Sequence, residues 1–163
     1  TNADKKNRSI GRIVNIGSIA GKVTSPYMGP YCASKHALEA LTDATRMELA
    51  DFGVFACVVE PGNIKTPIWQ KAQNTATELT ENLPARAIEL YGTEMKRMKT
   101  HFENSDKNAA PVSLVSKAIE HALLSSRPRT RYLVGKDARM GAFMRWLLRD
   151  KTFDRLMKKV TRD

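Results

Sequence analysis

Tyr31 and Lys35 stand four residues apart, so within a helix the phenol and the ammonium fall on one face. A phenol, with an ordinary pKa of about 10, is a poor acid or base at neutral pH, and a lysine held beside it favours the phenolate. Ser18, thirteen residues upstream of Tyr31, adds a hydroxyl that can hold an oxygen. A hydroxyl, a phenol and a cation together form a candidate proton-transfer set. Cys32 and His36 flank the tyrosine and lysine, but neither has a second ligand at metal spacing, and helix packing accounts for both. No metal is expected.

Elements that position this set are legible around it. The run Arg12-Ile-Val-Asn-Ile-Gly17 reads as a strand and Ile19-Ala-Gly21 as the turn after it, which puts Ser18 at a strand end. In a parallel sheet, strand ends face the crevice where ligands bind. The spacing predicts further strands over 54–60 and 131–134, and helices over 31–49 and 111–124. Alternation of strands with helices argues an α/β fold with a parallel sheet and right-handed crossovers. The near-continuous apolar run Val54-Phe-Ala-Cys-Val-Val marks a strand covered on both faces and makes Cys57 a core residue. On the first helix, Ala33, Ala37, Leu38, Leu41, Ala44, Thr45 and Leu49 recur at helical spacing, and Asp51-Phe-Gly53 closes it at a glycine.

Asn15-Ile-Gly-Ser18, the thirteen-residue step to Tyr31, Tyr31-x-x-x-Lys35 and Pro61-Gly62-x-x-x-Thr66 occur in this order. Singly each is common; jointly they resemble the short-chain dehydrogenase/reductase family. The resemblance implies part of a doubly wound, Rossmann-like sheet, its last three strands with flanking helices, over 1–139, with 66–110 as a substrate lid. It further implies NAD or NADP as cofactor, Ser18, Tyr31 and Lys35 as catalytic residues, and a small apolar alcohol or ketone as substrate. Tyr31 would exchange the proton with the substrate oxygen and Ser18 would hold that oxygen. Lys35 would bind the nicotinamide ribose, and Pro61, Gly62 and Thr66 would lie against the nicotinamide end. Ile68 and Trp69, with Leu90, Tyr91 and Met95, are candidates to line the substrate pocket; ordinary helix packing explains the same residues. The family commonly uses the tyrosine helix in a subunit interface, so a homo-oligomer is expected, although packing on its own sheet accounts equally for the apolar stripe.

One departure from the family is large. No Gly-x-x-x-Gly-x-Gly phosphate loop occurs in the 163 residues, so the half that would seat the cofactor's pyrophosphate is expected to lie outside this sequence. Gly11, Gly17, Gly21 and Gly29 read as turn glycines, and the stretch from Gly135 to Gly141 as a loop leading to the tail. Two functional readings follow. One is an NAD(P)-dependent oxidoreductase interconverting a secondary alcohol and a carbonyl, with a lean towards steroid, retinoid or acyl substrates. The other is a truncated, catalytically silent fragment or interaction module.

Charge is concentrated at one end, where residues 127–163 hold twelve Lys and Arg against four Asp, +8 of the chain's formal +10. Within 140–163, Met140, Phe143, Met144 and Leu147, then Phe153, Leu156, Met157 and Val160, fall at helical spacing and predict a basic amphipathic tail. Such helices, with Trp146, suit peripheral contact with an anionic membrane; packing beside the substrate mouth explains them as well. No reader motif accompanies the charge, so nucleic acid is not expected as a partner. Two cysteines, neither in a disulfide pattern, and no secretory signal point to the reducing cytoplasm.

Overall fold

A computed structural model describes residues 11–68, 77–78, 83–107 and 109–160. Strands β1 (Gly11–Ile16), β2 (Val54–Pro61) and β3 (Arg131–Val134) form a three-stranded parallel sheet in the order β1-β2-β3. In register, Gly11 opposes Val54, Ile16 opposes Val59, and Val58 opposes Arg131. Helix α1 (Gly29–Glu48) connects β1 to β2; α2 (Ala85–Lys107) and α3 (Ser113–Leu124) lie between β2 and β3; α4 (Lys136–Leu147) and α5 (Asp150–Val160) follow. The three strands fall where the apolar runs predict them.

β2 is the centre, as a run apolar on both faces requires. On one face, Cys57 and Val59 join Ile64, Ala122, Tyr132 and Val134 in a core that α3 closes with Val115, Ala118 and Ile119. Burial removes water from the Cys57 thiol and raises its pKa, with Arg12 opposing the shift. Arg12 itself donates to the carbonyls of Ala122 and Ser125, at 2.8 and 2.9 Å, so the β1 guanidinium caps the C-terminus of α3.

The other face of β2 meets α1, and here the structure departs from the expected stripe. α1 buries Cys32, Glu39 and Thr42 and partly buries Leu38, Ala44, Thr45 and Leu49 of the stripe, while Leu41 is 62% exposed and Ala33 and Ala37 face solvent. The sheet-facing side of α1 is polar because it is bonded: Asn15 Nδ2 donates to Thr42 Oγ1 at 2.8 Å, and Thr42 donates to the Leu38 carbonyl at 2.7 Å. α1 ends at Glu48 with Leu49 as its cap, and Gly53, left-handed at φ 72, closes the 3-10 turn Ala50–Phe52 that follows instead of the helix itself.

The stretch read as a loop after β3 is instead the start of α4. Gly135 caps the helix at φ 107, a conformation open to glycine, and Asp137 occupies the first turn. α4 runs through position 139–140, where the half-domain is expected to give way to the tail. Gly141, a turn signal in sequence, lies inside the helix, in van der Waals reach of Ile19 and Val23, 3.5 and 3.7 Å from where its Cβ would be. α5 docks through buried Phe153, over whose ring the Arg145 guanidinium sits at 5.5 Å; of the predicted apolar stripe of α4, Met144 is partly buried while Met140, Phe143 and Leu147 are exposed, and Trp146 is 80% exposed. Among the described residues no helix is long and apolar enough to cross a membrane.

Candidate active site

Lys35 and Tyr31 occupy the first turns of α1, whose N-terminus is set by Pro30. Lys35 Nζ lies 5.8 Å from the centroid of the Tyr31 ring, within cation–π range, and donates to the Ile16 carbonyl at 3.1 Å. Ile16 is the last residue of β1, two before Ser18, so one ammonium ties the strand end to the tyrosine helix. Tyr31 is 38% exposed, so its phenol is open to an incoming molecule.

Ser18 caps the 3-10 turn Ile19–Gly21, its hydroxyl accepting from the Ala20 N–H at 3.2 Å. The turn is pressed onto α1 at the level of Lys35, where a Cβ on Gly21 would meet the Lys35 carbonyl at 3.0 Å and Glu39 Cγ at 2.9 Å. Gly17 donates to the Val59 carbonyl at 2.8 Å and sits equally close to β2, since its Cβ would lie 2.8 Å from Val58 Cγ2. Two close glycine approaches thus bring the Ser18 turn against the helix that bears Tyr31 and Lys35.

Pro61 ends β2, and Gly62 and Thr66 continue into the loop beyond it, all three partly buried. Gly62 donates to the Val134 carbonyl at 2.8 Å, Ala110 donates to the Asn63 carbonyl at 2.9 Å, and Lys65 donates to the Ala110 carbonyl at 2.9 Å. The loop therefore leaves the sheet on a fixed path. Ile68, Leu90 and Tyr91 are more than half exposed and Met95 is partly buried. Trp69 lies outside the described residues.

Four features of this region carry no signature among the sequence motifs. Glu60 is fully buried (0% exposed) with Lys22 Nζ at 3.1 Å and Arg131 at 3.5 Å; Lys22 also reaches Glu39, and Arg131 ion-pairs with Glu39 and Asp43. This network joins the residue after the Ser18 turn, the α1 face beyond Lys35, and the residue before Pro61. Burial raises the Glu60 pKa above its ordinary value, and Lys22 pulls it back. A charge interrupting the apolar run of β2 just before Pro-Gly was its available signal. Tyr27, four residues before Tyr31, is left-handed at φ 64 and exposed, a strained residue at the entrance to α1 that no sequence rule marks. Asp137 reaches the loop after β2 across the sheet end. The fourth is Arg12, whose caps on α3 need the fold to be seen.

The ammonium of Lys35 has three donors and spends one on Ile16 among the described bonds, which leaves it suited to ribose hydroxyls beside an open phenol. These residues fit the nicotinamide end of a dinucleotide. A family model described as "short chain dehydrogenase" matches residues 3–77. The chain belongs to the short-chain dehydrogenase family. It is similar to the NADPH-dependent 3-dehydrocapnine reductase of Ornithobacterium rhinotracheale, 33% identical over 165 residues, covering 99% of this chain and 56% of that protein. Retinol dehydrogenase 16 of Homo sapiens is 36% identical over 137 residues, covering 82% of this chain and 43% of that one. The fold is shared with a short chain dehydrogenase of Burkholderia cenocepacia J2315, solved in complex with NADP, at a TM-score of 0.60 and 23% identity over 95% of this chain and 51% of that chain. The chain spans about half the length of the curated relatives it matches.

Proposed function

We propose that this chain carries the proton-transferring, nicotinamide-facing part of an NAD(P)-dependent oxidoreductase that interconverts a secondary alcohol and a carbonyl. The observation that carries this reading is Lys35, whose ammonium bridges the Tyr31 ring and the β1 end that leads to Ser18. The bound cofactor supplies or accepts the hydride. In the reducing direction, Tyr31 gives its phenolic proton to the substrate oxygen as the carbonyl carbon becomes a carbinol; in the oxidising direction it takes that proton back. Ser18 donates its hydroxyl hydrogen to the same oxygen and fixes its place. Lys35 holds ribose hydroxyls and stabilises the phenolate once the proton has left. Pro61, Gly62 and Thr66 lie against the nicotinamide end, and Ile68 faces an apolar substrate. Among apolar alcohols and ketones, a retinoid agrees with the name of the human relative.

Replacing Tyr31 by Phe in the full-length protein tests this assignment. Turnover is expected to fall by about three orders of magnitude, the usual weight of a positioned acid/base, with cofactor affinity retained. Turnover matching the unaltered protein would remove Tyr31 from its role.

A second reading, that the 163 residues by themselves are catalytically silent, rests on the lack of a glycine-rich phosphate loop among them. The exposed face of α1 around Ala33, Ala37 and Leu41 favours a homo-oligomer, with a second copy covering it. The exposed Trp146 and Phe143 on a basic helix agree with peripheral membrane contact by a cytoplasmic protein.

A further inference from the structure

Asp137 lies in the first turn of α4, yet its carboxylate reaches away from the helix and accepts the backbone N–H of Asn63, in the loop after β2. Two glycines make room for it. A Cβ on Gly62 would fall on the Asp137 carboxylate, and a Cβ on Gly135 would crowd its Oδ1, the oxygen not bonded to Asn63. Gly135 further holds φ at +107, which aims α4 and its first turn back across the sheet end. Backbone bonds also tie the loop, from Gly62 to Val134 and between Ala110 and both Asn63 and Lys65. Asp137 adds a charged acceptor, and bonds of that kind are about twice as strong as neutral ones. The far side of α4 rests on the other half of the site, where Gly141 packs against Ile19, the residue after Ser18.

We propose that Asp137 is a positioning residue for the nicotinamide-facing loop: seated between Gly62 and Gly135 and holding the Asn63 N–H, its carboxylate fixes the path of residues 61–66 against the cofactor. This rests on the oxidoreductase reading above. Gly62 and Gly135 are then small because a carboxylate, not a turn alone, needs their space. α4 becomes the strut that relates that loop to the Ser18 turn.

The test uses Asp137→Ala, Asp137→Asn and Asp137→Glu in the full-length protein, with NADH and NADPH as probes and ADP-ribose as the dinucleotide lacking its nicotinamide ring. Asp137→Ala is expected to weaken binding of the reduced cofactor about tenfold, the weight of one charge-assisted bond, with ADP-ribose affected less than about twofold. Amide exchange at Asn63 is expected to accelerate. Asp137→Asn keeps an acceptor oxygen and recovers part of the affinity, whereas Asp137→Glu, one methylene too long for the space between the glycines, does not. A merely structural defect would weaken both probes alike, and that result overturns the proposal; so does unchanged cofactor affinity in Asp137→Ala. If Asp137→Ala fails to fold, Asp137→Asn decides the same comparison. Failure of the unaltered protein to bind either dinucleotide would overturn the oxidoreductase reading and this one with it, whereas intact binding indifferent to Asp137 would overturn this one alone.

Discussion

Among the described residues Glu60 is the most enclosed carboxylate, between the sheet and α1, with Lys22 as its nearest cation. Both its oxygens are buried, and Lys22 Nζ at 3.1 Å from Oε1 supplies charge and a hydrogen bond to the carboxylate. Desolvation dominates, so the folded protein binds a proton on Glu60 more tightly than the unfolded chain does. The linked stability is therefore complete below the ordinary value of 4.5 and is lost as pH rises through the higher folded value. A comparison of melting temperatures for the wild type and Glu60→Gln should show the wild type gaining on the variant as pH falls through that window. A difference that stays level with pH would contradict the assigned protonation. At this scale the sequence discloses the trio proposed for proton transfer, because that chemistry depends on residue type and spacing along one strand end and one helix. Glu60, Lys22, Glu39, Asp43 and Arg131 are hidden from it, since their pairing exists only once β2, β3 and α1 are stacked.

Between elements, two glycines set how near the Ser18 turn comes to its neighbours. Gly17 faces the Val58 side chain, which is fully buried and has nowhere to retreat, so an added methyl must separate β1 from β2 or shift Glu39. Gly17→Ala is expected to destabilise the fold by about 1–3 kcal/mol, as overpacking of a close contact does. Gly29→Ala, which points into open space at the start of α1, serves as the neutral comparison. Denaturant midpoints that match for the two variants would show that Gly17 is not a close-approach glycine. The strands and α1 are legible because β-branched runs and the closing Gly53 are local signals. The buried face of α1 is not. Periodicity points to Leu41 and its apolar neighbours, whereas the sheet takes the bonded polar side through Glu39 and Thr42. The start of α4 is likewise masked, because Gly135 serves a positive φ and the Asp137 carboxylate beside it, which only the packed sheet end discloses.

For the molecule as a whole, the three parallel strands gather the Ser18 turn, the tyrosine helix and the loop after β2 at one end of the sheet, which is where an open α/β fold receives its ligand. Much of this was open to a reading of motif order, and the missing phosphate loop was equally visible as an absence from the 163 residues. The inter-element devices, an ammonium on a strand-end carbonyl and an aspartate between two glycines, required the strands to be side by side. The claim on which the account turns is that this end of the sheet receives the nicotinamide of a dinucleotide. Fluorescence titration of the full-length protein with NADH and NADPH tests it most directly. Saturable binding of at least one of them is expected, retained in Tyr31→Phe and weakened about tenfold or more in Lys35→Ala, which loses its charged donors. Absence of saturable binding for both cofactors, or binding indifferent to Lys35, would contradict it.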